Sequence, residues 1–333
     1  MVGLAGLIYW FNLPAVKPPK KVAKKKIIKK LVKKQLPTDP LDGLPADAAA
    51  INRKPLAVMI ENLVNIRPQS GLSKASLVVE ALSEGGITRF MAVYGSHEAD
   101  RVGPVRSARK HFVAMAAGID ALYAHAGGSI YALRAIKDWG IDDLDEFAYS
   151  QGYERVPGIK APHNLFTNTQ KLRKVKDDSG RSNQVFQFKD DLAVGKRPGA
   201  QKVTIGFKEK DYDVAWQYQP ASNAYLRYNA GQPHMDALTN TQLTAKNIVV
   251  MFTQTSSIPG GGLVLDINVM GAGRLILYRD GEFVEGTWEK SAVTSPVRFL
   301  GADGTELKLN RGQTWLEIVP TDTQIGAAAT GGP

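Results

Sequence analysis

The spacing of apolar runs changes near residue 190, and this change constrains the fold more than any other feature of the sequence. From residue 55 onward, short apolar runs at 56–62, 75–83, 87–95 and 121–128 alternate with segments of good helix formers. Alternating strands and helices are typical of an α/β domain, which we place at residues 55–190. The first two runs also fit buried helices, because a short apolar run carries no decisive periodicity.

Local signals predict where two of the helices begin and end. Pro104 is expected in the first turn of a helix over 101–119, since proline fits the first helical position. Ser129 is expected to cap the next helix at its amino end, and Gly140 to end it.

Residues 200–322 follow a different pattern. Short β-type runs succeed one another there, separated by turn dipeptides such as Asp280-Gly281 and Asp303-Gly304. This pattern predicts a mainly antiparallel β domain. The expected fold class is therefore α+β or α/β, with an N-terminal mixed α/β domain followed by an antiparallel β domain. Residues 323–333 are expected to be a disordered tail.

The first sixteen residues, MVGLAGLIYWFNLPAV, are apolar but shorter than the roughly 20 residues that a membrane-spanning helix needs. Tyr9, Trp10 and Phe11 cluster as aromatic residues do at a membrane boundary. We interpret residues 1–16 as a truncated membrane anchor or signal remnant, with a disordered leader as the alternative. An anchor would hold the folded part at the extracytoplasmic face of the cell membrane, although lysines after such a segment favour the opposite orientation.

The net charge of +10 resides in one segment of the chain. Residues 17–34, KPPKKVAKKKIIKKLVKK, contain ten lysines and no acid, so the other 315 residues carry no net charge. The folded part therefore lacks the basic surface of a nucleic-acid-binding protein. With the prolines that follow, residues 17–54 are predicted to form a linker, which either binds phospholipid or wall polymer or is a solvated spacer. The sequence has no cysteine, which excludes disulfides, thiolate metal sites and a lipidated cysteine within it.

Four motifs stand out in order along the chain. They are RVGPVRSAR (101–109), ALYAHAGGS (121–129), KAPHNLFT (160–167) and LYRDGEFVEGTWEK (277–290). Together they resemble the bacterial YerB-like lipoprotein family, a domain of unknown function, over about residues 52–322. The resemblance implies a cell-envelope protein of two paired domains but supplies no mechanism. The cysteine that is acylated in lipoprotein members has no counterpart here, so any anchor must be the peptide itself.

The arginine-rich segment at 101–110 gives the strongest signal for a ligand. Arg106 and Arg109 are three residues apart and are predicted to share one face in the first turn of the helix there. Orphan N–H groups and the helix dipole favour an anion at that position, and guanidinium groups bind phosphate or carboxylate through paired hydrogen bonds. The alternative is that these arginines pair with acids of the same domain, such as Glu80 or Glu84.

A second candidate feature is a strand that runs into a helix through two glycines. Gly127 and Gly128 let the backbone approach a ligand, and Ser129 either caps the helix or contacts an anion. His125 at the strand end and Glu84 are the candidate catalytic acid–base residues. For His125 the alternative is a buried polar residue with its hydrogen bonds satisfied.

Polar residues elsewhere in the first domain complete the predicted site. Arg89, His163 and Asn164 are candidate ligand-binding residues of the same cleft. Carboxylates such as Glu61 would suit a divalent cation that holds a pyrophosphate, but no metal-ligand spacing is diagnostic, and ion pairing is the alternative.

These observations predict an envelope protein whose arginine-rich cleft binds an anionic component: a polyprenyl phosphate, a phosphorylated glycan or peptidoglycan carboxylates. Catalysis stays open, because a ligase or phosphotransferase would also need a metal and an acceptor site. The alternative is a non-catalytic scaffold, or a protein- or glycan-binding module, with internally paired arginines. Free guanidinium donors converging on one cleft would favour the ligand, and guanidinium groups saturated by carboxylates would favour the scaffold.

Overall fold

A computed structural model describes Met1, residues 37–180 and residues 185–329, the last residue by its backbone alone. The predicted anchor beyond Met1, the lysine-rich segment and the last four residues of the predicted tail lie outside the described residues. All elements named below belong to one unit, residues 36–333.

Helices are few among the described residues. The α-helices are α1 (Ala48–Ile51), α2 (Lys110–Gly118), α3 (Ile130–Asp138) and α4 (Thr169–Val175). Single turns of 3₁₀ helix lie at Val64–Ile66, Leu72–Lys74, Ser150–Gly152, Val194–Lys196 and Lys210–Tyr212.

Strands are more extensive than helices in the described chain. The first part contributes β1 (Leu56–Glu61), β2 (Leu77–Glu84), β3 (Ile87–Tyr94), β4 (Leu122–His125), β5 (Asp143–Asp145), β6 (Tyr153–Arg155), β7 (Leu165–Thr167) and β8 (Phe188–Lys189). The second part contributes β9 (Gln201–Ile205), β10 (Val214–Gln219), β11 (Ala224–Asn229), β12 (Gln232–Pro233), β13 (Met235–Asp236), β14 (Thr241–Gln242), β15 (Thr244–Ala245), β16 (Asn247–Thr253), β17 (Thr255–Ser257), β18 (Leu265–Ile267), β19 (Gly271–Arg279), β20 (Glu282–Lys290), β21 (Arg298–Gly301), β22 (Leu309–Asn310), β23 (Thr314–Pro320) and β24 (Ile325–Ala329).

One ten-stranded sheet takes strands from both parts of the chain, in the order β21-β20-β19-β16-β23-β2-β3-β1-β4-β5. At the N-terminal end of this sheet, β1, β4 and β5 run parallel to one another. At the other end, β16, β19, β20 and β21 are antiparallel. Strand β23 joins the two ends, because it lies parallel to both β16 and β2. The predicted fold class, mixed α/β followed by mainly antiparallel β, is confirmed.

A second sheet has the order β12-β11-β10-β9-β24, with β15 paired to β11. Its strand β10 alternates buried and half-buried residues, as expected of a strand with one covered face. The strands β1, β16 and β23 are buried along almost their whole length, as expected of strands covered on both faces. The core therefore surrounds the middle of the ten-stranded sheet.

The helix predicted over 101–119 begins only at Lys110, so the expectation for Pro104 is wrong. The backbone before it pairs with β1 instead: the Arg106 amide donates to the Met59 carbonyl at 3.0 Å, and the Glu61 amide donates to the Pro104 carbonyl at 2.9 Å. Hydrogen bonds between this segment and β1 thus take the place of the hydrogen bonds within a helix that Pro104 would have allowed. The cap predictions for α3 are confirmed, since Ser129 Oγ accepts from the Ala132 amide and Gly140 follows the helix with a φ of +63°.

Two segments predicted to lack structure are ordered where the structure describes them. In the predicted linker 17–54, Leu41 is fully buried and the Asp42 carboxylate accepts from Ser76 Oγ at 2.6 Å. In the predicted tail, β24 pairs antiparallel with β9 and so satisfies the edge of the second sheet. Tertiary contacts thus order segments whose composition is typical of a linker and a tail. Across the described chain, no helix combines the length and the apolar character that crossing a membrane requires.

Candidate functional site

The segment between Val102 and Ala108 lies across the carboxyl ends of the parallel strands β1 and β4. The Arg106 amide donates to Met59 of β1, while the Arg106 carbonyl accepts from the Ala126 amide at 3.1 Å and the Ala108 amide donates to the Gly127 carbonyl at 2.9 Å. The segment is therefore inserted where the two strands diverge. Carboxyl ends of parallel strands are the edge at which α/β sheets bind ligands.

Two buried arginines share the carboxylate of Glu84. Its Oε1 accepts from Arg109 Nη2 at 2.6 Å and from Arg89 Nη2 at 3.0 Å. The Arg89 and Arg109 side chains are only 7% and 10% exposed. Although burial opposes ionisation, these two arginines hold the pKa of Glu84 below its ordinary value. This pairing makes Glu84 a counter-ion, and its predicted acid–base role stays a prediction.

The carboxylate of Glu61, at the end of β1, contacts a third arginine and a histidine. Its Oε1 forms an ion pair with Arg106 Nη2 at 2.8 Å, and its Oε2 lies 2.8 Å from His163 Nδ1. The Glu61 side chain is 6% exposed, whereas Arg106 and His163 are each 22% exposed. Glu61 also faces Arg89 across the β1–β3 pair, so the two groups of charges adjoin.

This arginine cluster, which we define as Glu61, Glu84, Arg89, Arg106 and Arg109, has three guanidinium groups and two carboxylates. Burial lowers the pKa of Arg89 to about 10, with Glu84 opposing the shift and the other two arginines adding to it. The Nε of Arg109 is buried and has no hydrogen-bond partner among the described residues. The cluster therefore carries an excess of positive charge.

His125 lies beside this cluster on β4 but is closed off from solvent. Its side chain is fully buried, with Nδ1 at 2.8 Å from the Gly127 carbonyl and Nε2 at 2.8 Å from Asp143 Oδ1. Both ring nitrogens therefore have protein partners. These contacts fit the alternative of a satisfied buried histidine, and the predicted catalytic role of His125 stays a prediction.

The glycine turn after β4 meets the arginine segment at a small cavity. Gly127 has a φ of +58°, and a Cβ at Gly128 would lie 3.1 Å from that of Ala108, so both positions favour glycine. Ser129 and Arg109 line a cavity of about 180 Å³ next to this turn. Asn164, also a predicted site residue, contacts an arginine outside the arginine cluster. Its Oδ1 accepts from Arg155 Nη1 at 3.1 Å.

A buried charge network was missed by the sequence analysis. Arg227 of β11 donates through Nη2 to Glu80, through Nη1 to Glu317 at 3.0 Å and through Nε to His234 Nδ1 at 2.9 Å. Its guanidinium carbon lies 4.3 Å from the centre of the Trp315 ring. Arg227 and both glutamates have no exposed side-chain surface.

The signal for this network was present in the strands themselves. Glu80 stands within LVVEAL and Glu317 within TWLEIV, each an acid inside an otherwise apolar run. A charge buried in this way requires a partner. The two glutamates face each other on the neighbouring parallel strands β2 and β23. Their full burial indicates a structural role for the network.

Metal-ligating residue types are scattered over the described chain. Within residues 37–180 and 185–329, no three histidine, aspartate or glutamate side chains are grouped so as to hold a metal ion. The contacts of Glu61 and Glu84 are accordingly ion pairs with arginine and a contact with histidine.

Comparison with protein families gives two adjacent matches. Residues 41–182 match the N-terminal domain, and residues 203–316 the C-terminal domain, of a protein of unknown function termed DUF3048. The chain belongs to the DUF3048 family. The arginine cluster lies within the N-terminal DUF3048 domain, whereas the Arg227 network connects the two domains.

A curated DUF3048 relative and a solved structure come from the same bacterium. The chain is 31% identical over 288 residues to the Bacillus subtilis (strain 168) protein named "Putative lipoprotein YerB", covering 84% of this chain and 86% of that protein. It is also similar to the crystal structure of the YerB protein from Bacillus subtilis, with a TM-score of 0.75 and 28% identity, over 87% of this chain and 99% of that one. The resemblance to YerB-like lipoproteins is thereby confirmed.

Proposed function

We propose that this DUF3048 protein is held at the extracytoplasmic face of the cell membrane and binds an anionic envelope ligand through Arg106 and His163. The name of the Bacillus relative, a lipoprotein, supports a membrane-anchored location. The apolar residues 1–16 would contribute to this attachment. The ligand classes are a polyprenyl phosphate, a phosphorylated glycan and wall carboxylates.

The observation that carries the ligand proposal is the position of Glu61. Its buried carboxylate contacts Arg106 and His163 at 2.8 Å each and fixes both at the surface, where each is 22% exposed. Glu61 occupies one nitrogen atom of each side chain, which leaves the other nitrogens for a ligand. Groups fixed in this way lose little further entropy when a ligand binds.

The charge balance also supports an anion as the ligand. Three guanidinium groups of the arginine cluster face two carboxylates. A phosphate group that approaches Arg106 would accept charge-assisted hydrogen bonds and offset the remaining positive charge.

A non-catalytic scaffold is the second candidate, and one observation favours it. Arg89 and Arg109 are almost fully buried and share the Glu84 carboxylate, so each of these two guanidinium groups has an acidic partner within the protein. Under this alternative, Arg106 is likewise a structural partner of Glu61.

Thermal unfolding of the full chain distinguishes these candidates. Inorganic pyrophosphate and phosphate would be titrated with and without Mg²⁺, against the native chain and the Arg106→Gln/His163→Gln variant. A ligand present at ten times its dissociation constant stabilises the native state by about 1.4 kcal/mol. That corresponds to a rise in Tm of about 2 °C for a chain of this size. Binding to the lysine-rich segment in both native and unfolded chains gives no such rise, because only binding specific to the native state shifts Tm.

The matched control is Arg155→Gln, which removes an arginine that is 47% exposed and contacts Asn164 and Glu146. We expect the shift in the native chain and in this control but not in the double variant. An equal shift in the double variant would place the anion elsewhere. No shift in the native chain with any probe would support the scaffold.

A further inference from the structure

Four exposed apolar side chains surround the start of α3. The exposed fractions are 69% for Ile130, 36% for Tyr131, 41% for Leu133 and 77% for Phe147. We call these four residues the α3 patch. Single exposed apolar side chains are ordinary, but a group of them marks an interaction surface.

The glycine turn before α3 brings the four residues together. A Cβ placed on Gly127 would lie 3.2 Å from Cε2 of Phe147, and a Cβ on Gly128 would lie 3.2 Å from Cδ2 of Leu133. Phe147 and Leu133 therefore both contact this one turn. Ile130 and Tyr131 follow it directly in the first turn of the helix.

Cationic residues continue the same helix face. The α3 helix packs on the core through Ala132, Ala135 and Ile136. At about 100° per residue, the opposite direction is occupied by Ile130, Arg134 and Lys137. Both cationic residues are exposed. The outward face thus begins with apolar side chains and continues with positive charge.

Further charged groups lie around the edge of the α3 patch. Lys110, whose side chain is 51% exposed, lines the small cavity together with Tyr131. Asp266 lies 4.0 Å from Lys110, and Asp138 stands at the far end of α3. Asp145, which accepts from the Gly127 and Phe147 amides, and Glu146, which pairs with Arg155, also adjoin the patch, but their side chains are only 18% and 13% exposed. Among the exposed groups, the cations Lys110, Arg134 and Lys137 outnumber the acids Asp138 and Asp266.

We propose that the α3 patch docks the folded unit onto the surface of an anionic lipid bilayer. Apolar side chains at one end of a helix enter the boundary between headgroups and acyl chains, and a tyrosine suits that depth. Cations on the same face then lie level with anionic headgroups, where each Lys or Arg strengthens binding about fivefold. A purely apolar partner surface would leave Arg134 and Lys137 without counter-charge.

The length of chain before the described residues favours a bilayer as the occupant. From residue 16 to residue 37 a fully extended chain reaches at most about 70 Å. An anchor at residues 1–16 would therefore keep the folded unit close to the membrane. The inference rests in this respect on the membrane attachment that we propose above.

The chain has no cysteine, so a single introduced cysteine can carry a polarity-sensitive fluorophore at one known position. The test places the fluorophore on the full chain at Leu133→Cys, and in the control at Phe283→Cys. Phe283 is 57% exposed and belongs to β20, near the opposite end of the ten-stranded sheet. Vesicles of phosphatidylcholine alone are compared with vesicles that also contain one quarter phosphatidylglycerol.

With anionic vesicles, we expect a severalfold rise and a blue shift of emission at position 133 and an aqueous spectrum at position 283. The Arg134→Gln/Lys137→Gln variant is expected to need on the order of 20-fold more lipid to give the same fluorescence response. The matched Arg298→Gln/Lys308→Gln variant, which removes two exposed cations elsewhere, leaves it unchanged.

Co-sedimentation with the vesicles separates two kinds of failure. A chain that sediments with vesicles while position 133 stays aqueous would overturn docking through α3 but not membrane attachment. Equal responses at positions 133 and 283 would show non-specific adsorption and would also overturn it. A chain that does not sediment at all would overturn both the docking and the proposed membrane attachment.

Discussion

Replacing Arg227 by methionine is expected to destabilise the folded unit strongly. Arg227 has no exposed side-chain surface and donates hydrogen bonds to Glu80, Glu317 and His234. Methionine keeps much of the apolar contact with the neighbouring Trp315 ring but removes all three donors. The Glu80 carboxylate then stays buried without its cation, while Thr88 and Asn62 still donate hydrogen bonds to it.

Removing one partner of a buried ion pair costs about 3–5 kcal/mol, because the other charge is left uncompensated. For a folded unit of this size the loss corresponds to a decrease in Tm of about 5–8 °C. Neutralising Glu80 in the same chain removes the uncompensated charge. The Arg227→Met/Glu80→Gln double variant is therefore expected to recover at least half of the loss.

Urea unfolding of the full chain, followed by tryptophan fluorescence and circular dichroism, measures these differences. The control is Arg298→Met, since Arg298 is 52% exposed and lies 3.8 Å from Glu306. Exposed pairs of this kind contribute at most about 1 kcal/mol. An Arg227→Met loss no larger than that of the control, or the absence of any recovery in the double variant, would refute the role assigned to the buried charges.

Two further predictions concern the same core. Burial and the neighbouring Glu80 carboxylate raise the pKa of Glu317 well above its ordinary value of 4.5. The contribution of protonated Glu317 to the free energy of unfolding is therefore complete below pH 4.5 and is lost as the pH rises through the pKa in the folded state. The Glu317→Gln variant is therefore expected to lose less stability than the native chain between pH 4.5 and 8 in urea unfolding, and parallel pH profiles would contradict this. Leu41→Ala removes a fully buried side chain and is expected to cost about 2–5 kcal/mol. In the same assay Leu263→Ala, at a position that is 70% exposed, is expected to change stability by less than about 0.5 kcal/mol. An equal effect of the two leucine substitutions would mean that the segment around Leu41 is not part of the core.

Predictions from local sequence patterns succeeded where the pattern reports on a single element. The runs AYLRYN and TWLEIVP coincide with β11 and β23, since apolar or alternating residues between turn signals define a strand. The cap of α3 at Ser129 was likewise predictable, because its hydrogen bond spans three residues.

The start of α2 was not predictable in the same way. Proline at position 104 favours a first helical turn, but the backbone at Arg106 bonds to Met59, 47 positions earlier in the chain. A neighbouring strand therefore decided the conformation of this segment. For the same reason Arg106 and Arg109 do not share the first turn of a helix: Arg109 is the extended residue that precedes α2.

The residue types of the candidate site were visible in the sequence, but their pairing was not. Arginines, glutamates and histidines near strand ends are local facts, and they identified Arg89, Arg106, Arg109, Glu84 and His163 as one group. Which carboxylate contacts which arginine or histidine depends on residues far apart, as in the contact of His163 with Glu61 across 102 positions.

Local composition and periodicity thus determined the fold class, many of the strands and the cap of α3, because short-range sterics and hydrogen bonds govern them. The tertiary structure determined the burial of Leu41, the pairing of β24 and the Arg227 network, in which Arg227 donates hydrogen bonds to glutamates 147 and 90 positions away. Such contacts form only when the sheet brings distant strands together, and the cost of burying each charge then depends on the partner that it meets there.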